Sequence, residues 1–82
     1  MSRIEVRVFG PLRDITGTDS IILELPSPGT GVQAFESLAT LFPAIRKWEG
    51  SVKIAVNLEY ASLDTRLQPD DEVCFLPPVS GG

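Results

Sequence analysis

The residues best placed to do chemistry are the last two. Gly81 and Gly82 close the sequence after Phe75-Leu76-Pro77-Pro78-Val79-Ser80. An apolar run meets two prolines of fixed φ and then the least constrained residue type. A terminal carboxylate is a poor electrophile, because its charge is delocalised and its leaving group is oxide. Adenylation by ATP turns it into a mixed anhydride that sulfide or an amine can attack. The activating enzyme must take the terminus through a narrow channel, and glycine has no side chain to obstruct that passage. Pro77 and Pro78 hold the base of the tail extended, away from the body. From Pro78 to Gly82 the reach is roughly 17 Å at about 3.3 Å per residue. Pro78, Val79, Ser80 and Gly81 can therefore enter a partner's cleft and deliver the Gly82 carboxylate while the body stays docked outside. Two terminal glycines also describe an inert frayed end. The chemical reading draws on the rigid segment before them and on the fold pattern behind it.

Other chemistries find little support. Histidine is absent, so no imidazole base or histidine metal ligand is available. Cys74 is the only cysteine, which excludes an internal disulfide and a multi-cysteine metal cluster. It lies inside an apolar run with no basic neighbour in sequence, as a buried structural thiol does. Asp70, Asp71 and Glu72 follow a proline and read as a solvated turn rather than a metal site. A formal net charge of −4 argues against nucleic acid, which requires clustered Lys and Arg. The N-terminal residues have no apolar signal core and no stretch approaches a membrane span, so a cytoplasmic protein without a membrane partner is expected.

The elements that must position the tail follow from periodicity. The 82 residues, 43% apolar and 22% charged, suit one soluble globular domain over residues 1–82, with 78–82 a flexible C-terminal tail. Residues 3–9 alternate strictly, with Ile4, Val6 and Val8 on one face, and predict a half-buried strand. Gly10 and Pro11 interrupt it, leaving a loop or a short turn of helix over 10–17. Residues 20–26 form a second, antiparallel strand ended by Pro26. The period then changes. Val32, Phe35, Leu38, Ala39 and Phe42 recur at helical spacing, Thr30 and Gln33 have the spacing of a capping box, and Pro43 stops the helix near Phe42. Ile45 and Trp48 suggest a further short turn. Residues 51–60 resume alternation as one strand with Val52, Ile54, Val56 and Leu58 on a common face. Leu63 and Leu67 anchor the following segment, and residues 72–77 form the last strand. A helical crossover suits parallel pairing of the first and last strands. The expected fold is α+β, a ubiquitin-like β-grasp with a mixed sheet packed on one main helix. Val32, Phe35, Leu38 and Phe42 should bury against Val6, Val8, Ile54, Val56 and Val73.

Residues 9–17 (FGPLRDITG), 56–60 (VNLEY) and 67–82 (LQPDDEVCFLPPVSGG) resemble the MoaD branch of the MoaD/ThiS ubiquitin-like sulfur-carrier family, the small subunits of molybdopterin synthase. The resemblance spans nearly the whole chain, and PPVSGG is its most specific part. One departure stands out. The family has Asp-Gly-Asp-Glu-Val before the last strand where this chain has Pro69-Asp70-Asp71-Glu72-Val73, which removes a turn glycine.

The resemblance implies a role in molybdenum-cofactor biosynthesis. The terminal glycine, here Gly82, is adenylated by a ubiquitin-activating-like enzyme that uses ATP, and is converted to a thiocarboxylate by way of a sulfur-donor protein. The tail then enters the large subunit of molybdopterin synthase and supplies sulfur for the pterin dithiolene. The chain would be a substrate-carrying subunit that binds no cofactor of its own, with the catalytic groups on the large subunit. Phe75, Phe9 and Arg13 are the expected partner-binding residues, Phe75 as an apolar anchor. Three alternatives remain at this point: a thiamine-pathway sulfur carrier, a ubiquitin-like modifier joined to lysines through the same carboxylate, and a β-grasp interaction domain with an inert tail.

Overall fold

Alternation at the N-terminus builds β1 (Ser2–Val8), in which Ile4, Val6 and Val8 are buried and Arg3 and Arg7 exposed. The computed structural model describes residues 2–26 and 29–77. The Gly-Pro interruption becomes a short helix, α1 (Pro11–Thr16), with proline in its first turn, where a missing N–H costs nothing. β2 (Ser20–Leu25) returns antiparallel to β1, pairing Val6 with Ile21 and Arg3 with Glu24.

After β3 (Gly29–Thr30) the chain enters α2 (Gly31–Leu41). The predicted capping box is present: the Gln33 N–H donates to Thr30 Oγ1 at 3.4 Å, and the Thr30 N–H donates to Gln33 Oε1 at 2.9 Å. Ala34, Phe35, Leu38 and Ala39 form the buried stripe. Val32, expected in that stripe, is 42% exposed, because it stands on the flank of the first turn. Small residues take its place at the contact. A Cβ on Gly31 would stand 2.7 Å from Ile54 Cδ1 and 3.0 Å from the Leu63 carbonyl oxygen, so only glycine lets the helix start lie this close to the sheet. Phe42 is half-buried against the core, and the 3-10 helix Pro43–Trp48 follows with Ile45 fully buried. Arg46 in that turn bonds Glu36 of α2 at 2.9 Å and Glu49 at 3.3 Å, tying the two helices together.

The run at 51–60 is two strands rather than one. β4 (Lys53–Val56) and β5 (Glu59–Ala61) form a hairpin closed by Asn57 and Leu58, both at positive φ (51° and 72°). Two such residues make the turn whose twist matches a hairpin. Leu58 consequently sits at the tip and is 83% exposed, not on the core face that alternation implied. Asn57 is fastened to the last strand by three bonds: its N–H to the Glu72 carbonyl at 2.8 Å, its Nδ2 to Asp71 Oδ1 at 2.9 Å, and the Glu72 N–H to its Oδ1 at 3.0 Å.

β6 (Arg66–Leu67) pairs with β3, Leu67 buried and Leu63 packed against the core. β7 (Glu72–Leu76) then runs through the middle of the main sheet, whose order is β2-β1-β7-β4-β5. β7 is parallel to β1, as the crossover argument predicts, and antiparallel to β4. Val6, Val8, Ile54 and Val73 are buried beneath α2, and Val56 is partly so. This is the ubiquitin-like β-grasp.

Candidate functional site at the exit of the last strand

A tail that follows β7 is placed by β7, and β7 is held on both sides. Val8 of β1 pairs with Phe75, and Lys53 of β4 pairs with Leu76. Val73, Cys74 and Phe75 are all buried, while Leu76 and Pro77 are half-buried at the point of exit. The base of the tail is thus a fixed point. Pro78, Val79, Ser80, Gly81 and Gly82 lie outside the described residues.

β1 and β7 end at the same edge of the molecule, and there β1 turns off into α1. The Leu12 N–H donates to the Phe9 carbonyl and the Asp14 N–H to the Gly10 carbonyl, each at 3.2 Å. Phe9, 41% exposed, therefore flanks the exit, and Arg13 is exposed one helical turn on. The structure brings Phe9 to the site and leaves Arg13 beside it on α1.

Phe75 is corrected. It is fully buried and packs edge-on against Phe35, with ring centroids 5.7 Å apart at 82°. A side chain enclosed by its own helix cannot anchor a partner. The period of two that puts Val73 in the core puts Phe75 there also, and that parity was the signal available in the sequence.

The same parity sends Cys74 and Leu76 to the opposite face of the sheet. On it, register sets Arg7, Cys74, Ala55 and Tyr60 in one row across four strands. Tyr60 is 84% exposed at the end of the row. Half-buried Leu76 and exposed Tyr60 are apolar surface on this face that reasoning from the last strand alone missed, with buried Ala55 between their strands. Finding them needs the pairing of β4 with β7, which periodicity does not supply. Arg7 closes the row, bonding Glu72 at 2.9 Å and reaching Glu5 at 3.5 Å.

Cys74 is a structural thiol, as its neighbours in sequence suggest. Burial pushes its pKa up, the charge of Glu72 adds to this, and Arg7 opposes it. It is held protonated and is a poor nucleophile. The Asp71 carboxylate is occupied by Asn57 and by the Gln68 N–H at 2.7 Å, which is turn construction rather than metal ligation. Asp70 has φ 69°. It holds the left-handed conformation of the missing turn glycine, and its N–H donates to the Arg3 carbonyl at 2.7 Å. Aspartate tolerates this region better than most residues, so the departure leaves the turn intact.

Residues 6–82 match the ThiS family. The chain belongs to the ThiS family. Among its relatives is the molybdopterin synthase sulfur carrier subunit of Arabidopsis thaliana, 33% identical over 79 residues, covering 96% of this chain and 82% of that protein. The solution structure of small archaeal modifier protein 1 from Methanosarcina acetivorans superposes with a TM-score of 0.83 at 30% identity, over 100% of this chain and 98% of that one. A chain in the complex of subunits 1 and 2 of molybdopterin-converting factor from Helicobacter pylori superposes with a TM-score of 0.65 at 26% identity, over 98% and 99%. A ThiS-family fold accounts for the central, parallel last strand: it delivers whatever follows Pro77 from one edge of a rigid sheet.

Proposed function

We propose that this ThiS-family chain is the sulfur carrier and small subunit of molybdopterin synthase, with the Gly82 carboxylate as its working group. The observation that carries the reading is the near full-length match to a molybdopterin synthase sulfur carrier subunit. The geometry at the exit of β7 supports it. In the proposed sequence the carboxylate oxygen attacks the α-phosphorus of ATP in a ubiquitin-activating-like enzyme, and pyrophosphate leaves. Sulfide from a sulfur-donor protein attacks the acyl adenylate, AMP leaves, and a thiocarboxylate remains. The tail then enters the large subunit, a partner that the likeness to the Helicobacter pylori complex supports. There the sulfur passes to the pterin. The carrier contributes a nucleophilic sulfur and a reach, binds no cofactor, and leaves proton transfers to the large subunit. A need for ATP and a reducing sulfur source suits a reaction in the cytoplasm.

The test is the intact mass of the carrier after incubation with ATP, a sulfur source and the activating enzyme. Exchange of one oxygen for sulfur at Gly82, dependent on ATP, is the expected result. Carrier that returns unchanged while a known carrier is converted in the same mixture would sink the proposal.

A second reading has its own observation. The Methanosarcina acetivorans structure, 30% identical, is a small archaeal modifier protein. The same acyl adenylate attacked by a lysine amine would yield a modifier. Carrier mass added to lysine-bearing targets, with no thiocarboxylate formed, would favour it over sulfur transfer.

A further inference from the structure

β1 and β7 run side by side with Val8 opposite Phe75, and two residues beyond each partner stand Gly10 and Pro77. At that level β1 swings away into α1 while the other chain goes on towards the tail. Gly10 makes the swing with φ 57° and ψ −133°, a conformation that L-residues with a Cβ strongly avoid. The face of Gly10 where any other residue would carry its Cβ is turned to Pro77. A Cβ there would stand 3.2 Å from Pro77 Cγ, inside the separation of about 3.5–4.0 Å at which carbons rest. The proline ring is therefore seated on the bare Cα of the turn. The contact is particular to this site. Gly17 and Gly50 also have positive φ, and a Cβ on either would meet nothing within 4 Å.

The geometry points to Gly10 as a positioning residue for the C-terminal tail: Pro77, seated on it, sets the course on which the chain leaves the sheet. This inference rests on the sulfur-carrier reading. Pro77 has its φ fixed by its own ring. With the ring also stopped against Gly10, the base of the tail has one direction rather than a cone of them. A methyl at position 10 would push the ring off by a few tenths of an ångström. The five residues beyond Pro77 span roughly 17 Å when extended, and such a lever enlarges a small rotation at its base several-fold. A partner that grips the body beside the exit and receives the tail in a channel meets a misaimed tail at the moment of threading. Once threaded, the carboxyl occupies the same place as before. The effect falls on association, not on the chemical step.

Gly10→Ala, Pro77→Ala and the double variant separate this aim from simple damage to the fold. Each is assayed for ATP–pyrophosphate exchange with the activating enzyme, at a temperature where circular dichroism shows it folded. Gly10→Ala should raise the KM for the carrier by about tenfold while kcat stays within about twofold. Pro77→Ala, which removes the seated ring and its fixed φ, should raise KM comparably, and the double variant should add little to either single change. The double variant's thermal midpoint should stay low, because the positive φ still carries a side chain. A wild-type KM in Gly10→Ala, a loss confined to kcat, or a double-variant KM raised by the full product of the two single effects overturns the inference. Should Gly10→Ala not fold, the wild-type protein decides by NMR. Nuclear Overhauser contacts between the Gly10 Hα and Pro77 Hγ protons support the seat, and their absence overturns it. If wild-type carrier supports no exchange at all, the sulfur-carrier reading fails, and the NMR measurement still judges the contact.

Discussion

A thiol in the middle of the sheet, three residues before Pro77 at the base of the tail proposed to carry sulfur, invites the thought that sulfur passes through it. Cys74 is built against that. Burial is the main cause of its raised pKa, and Glu72 and Glu5 reinforce it. Native protein should therefore react with iodoacetamide at neutral pH far more slowly than urea-unfolded protein, and fast native labelling would refute the assignment. The sign for stability follows. A thiol whose folded pKa is raised contributes stability that is complete below its unfolded pKa and is lost as pH climbs through the folded one. Cys74→Ala should flatten the alkaline limb of a stability–pH profile measured by urea denaturation. An unchanged limb would assign that loss to other groups. Phe75, one residue on, faces the other way, and its ring fills the space beneath Phe35. Phe75→Ala should cost about 3–5 kcal/mol of unfolding free energy, a large part of what so small a domain holds. A variant of unchanged stability that no longer binds a partner would restore Phe75 to the surface.

At the scale of elements, the hairpin β4–β5 carries strain that a single change can relieve. Leu58 has φ 72° and is 83% exposed, so it pays for a left-handed backbone with almost no burial in return. Leu58→Gly should raise stability by about 0.5–1 kcal/mol, the relief of a left-handed residue less the greater freedom of unfolded glycine. A drop in the urea midpoint would contradict this account of the turn. The helix start gives the opposite case, for Thr30→Ala should cost about 1 kcal/mol by opening the capping box. These two elements also show what could be read in advance. The capping box is local chemistry, with residue types and spacing both on display, and α2 begins where they say. The hairpin turn was hidden because Leu58 is not a turn residue, and Val56, Leu58 and Tyr60 continue the alternation straight through it. Val32 was misplaced for a related reason: spacing defines a helix face but not how far the sheet beneath extends. The parallel β1–β7 pair was legible because a helix between two strands leaves few other solutions. The apolar surface of Leu76 and Tyr60 was not, since β7 and β5, held apart by β4, assemble it. The Gly-Gly signal at the tail is a matter of residue types alone, and needs no tertiary neighbour to define it.

Taken whole, the carrier proposed above is a rigid body that would offer one group at one distance. Its acidic turn, Asp70 and Asp71, lies at the start of β7 and thus at the edge opposite the exit, where Lys53 pairs with Leu76 and Arg13 stands on α1. The carboxylates of that turn are kept away from the end that would meet ATP in the proposed reaction, where they would repel its phosphates. If Gly82 carries the chemistry, its carboxyl must reach a nucleotide in one enzyme and a pterin in another, starting both times from the fixed point at Pro77. Adding one residue after Gly82 carries the reacting carbon about 3.3–3.6 Å further, far beyond the tolerance of a positioned reaction. Deleting Gly82 retracts it by as much. Gly81→Val keeps the length but adds a branched side chain where the passage must be narrow, and stiffens the backbone besides. All three changes lie beyond the described core, so denaturation midpoints should move little. Each should fold normally and lose nearly all sulfur transfer, measured as thiocarboxylate by intact mass and as molybdopterin in the reconstituted synthase. A chain longer by one residue that still supported molybdopterin formation, shown by mass not to have been trimmed, would place the chemistry somewhere other than the Gly82 carboxyl.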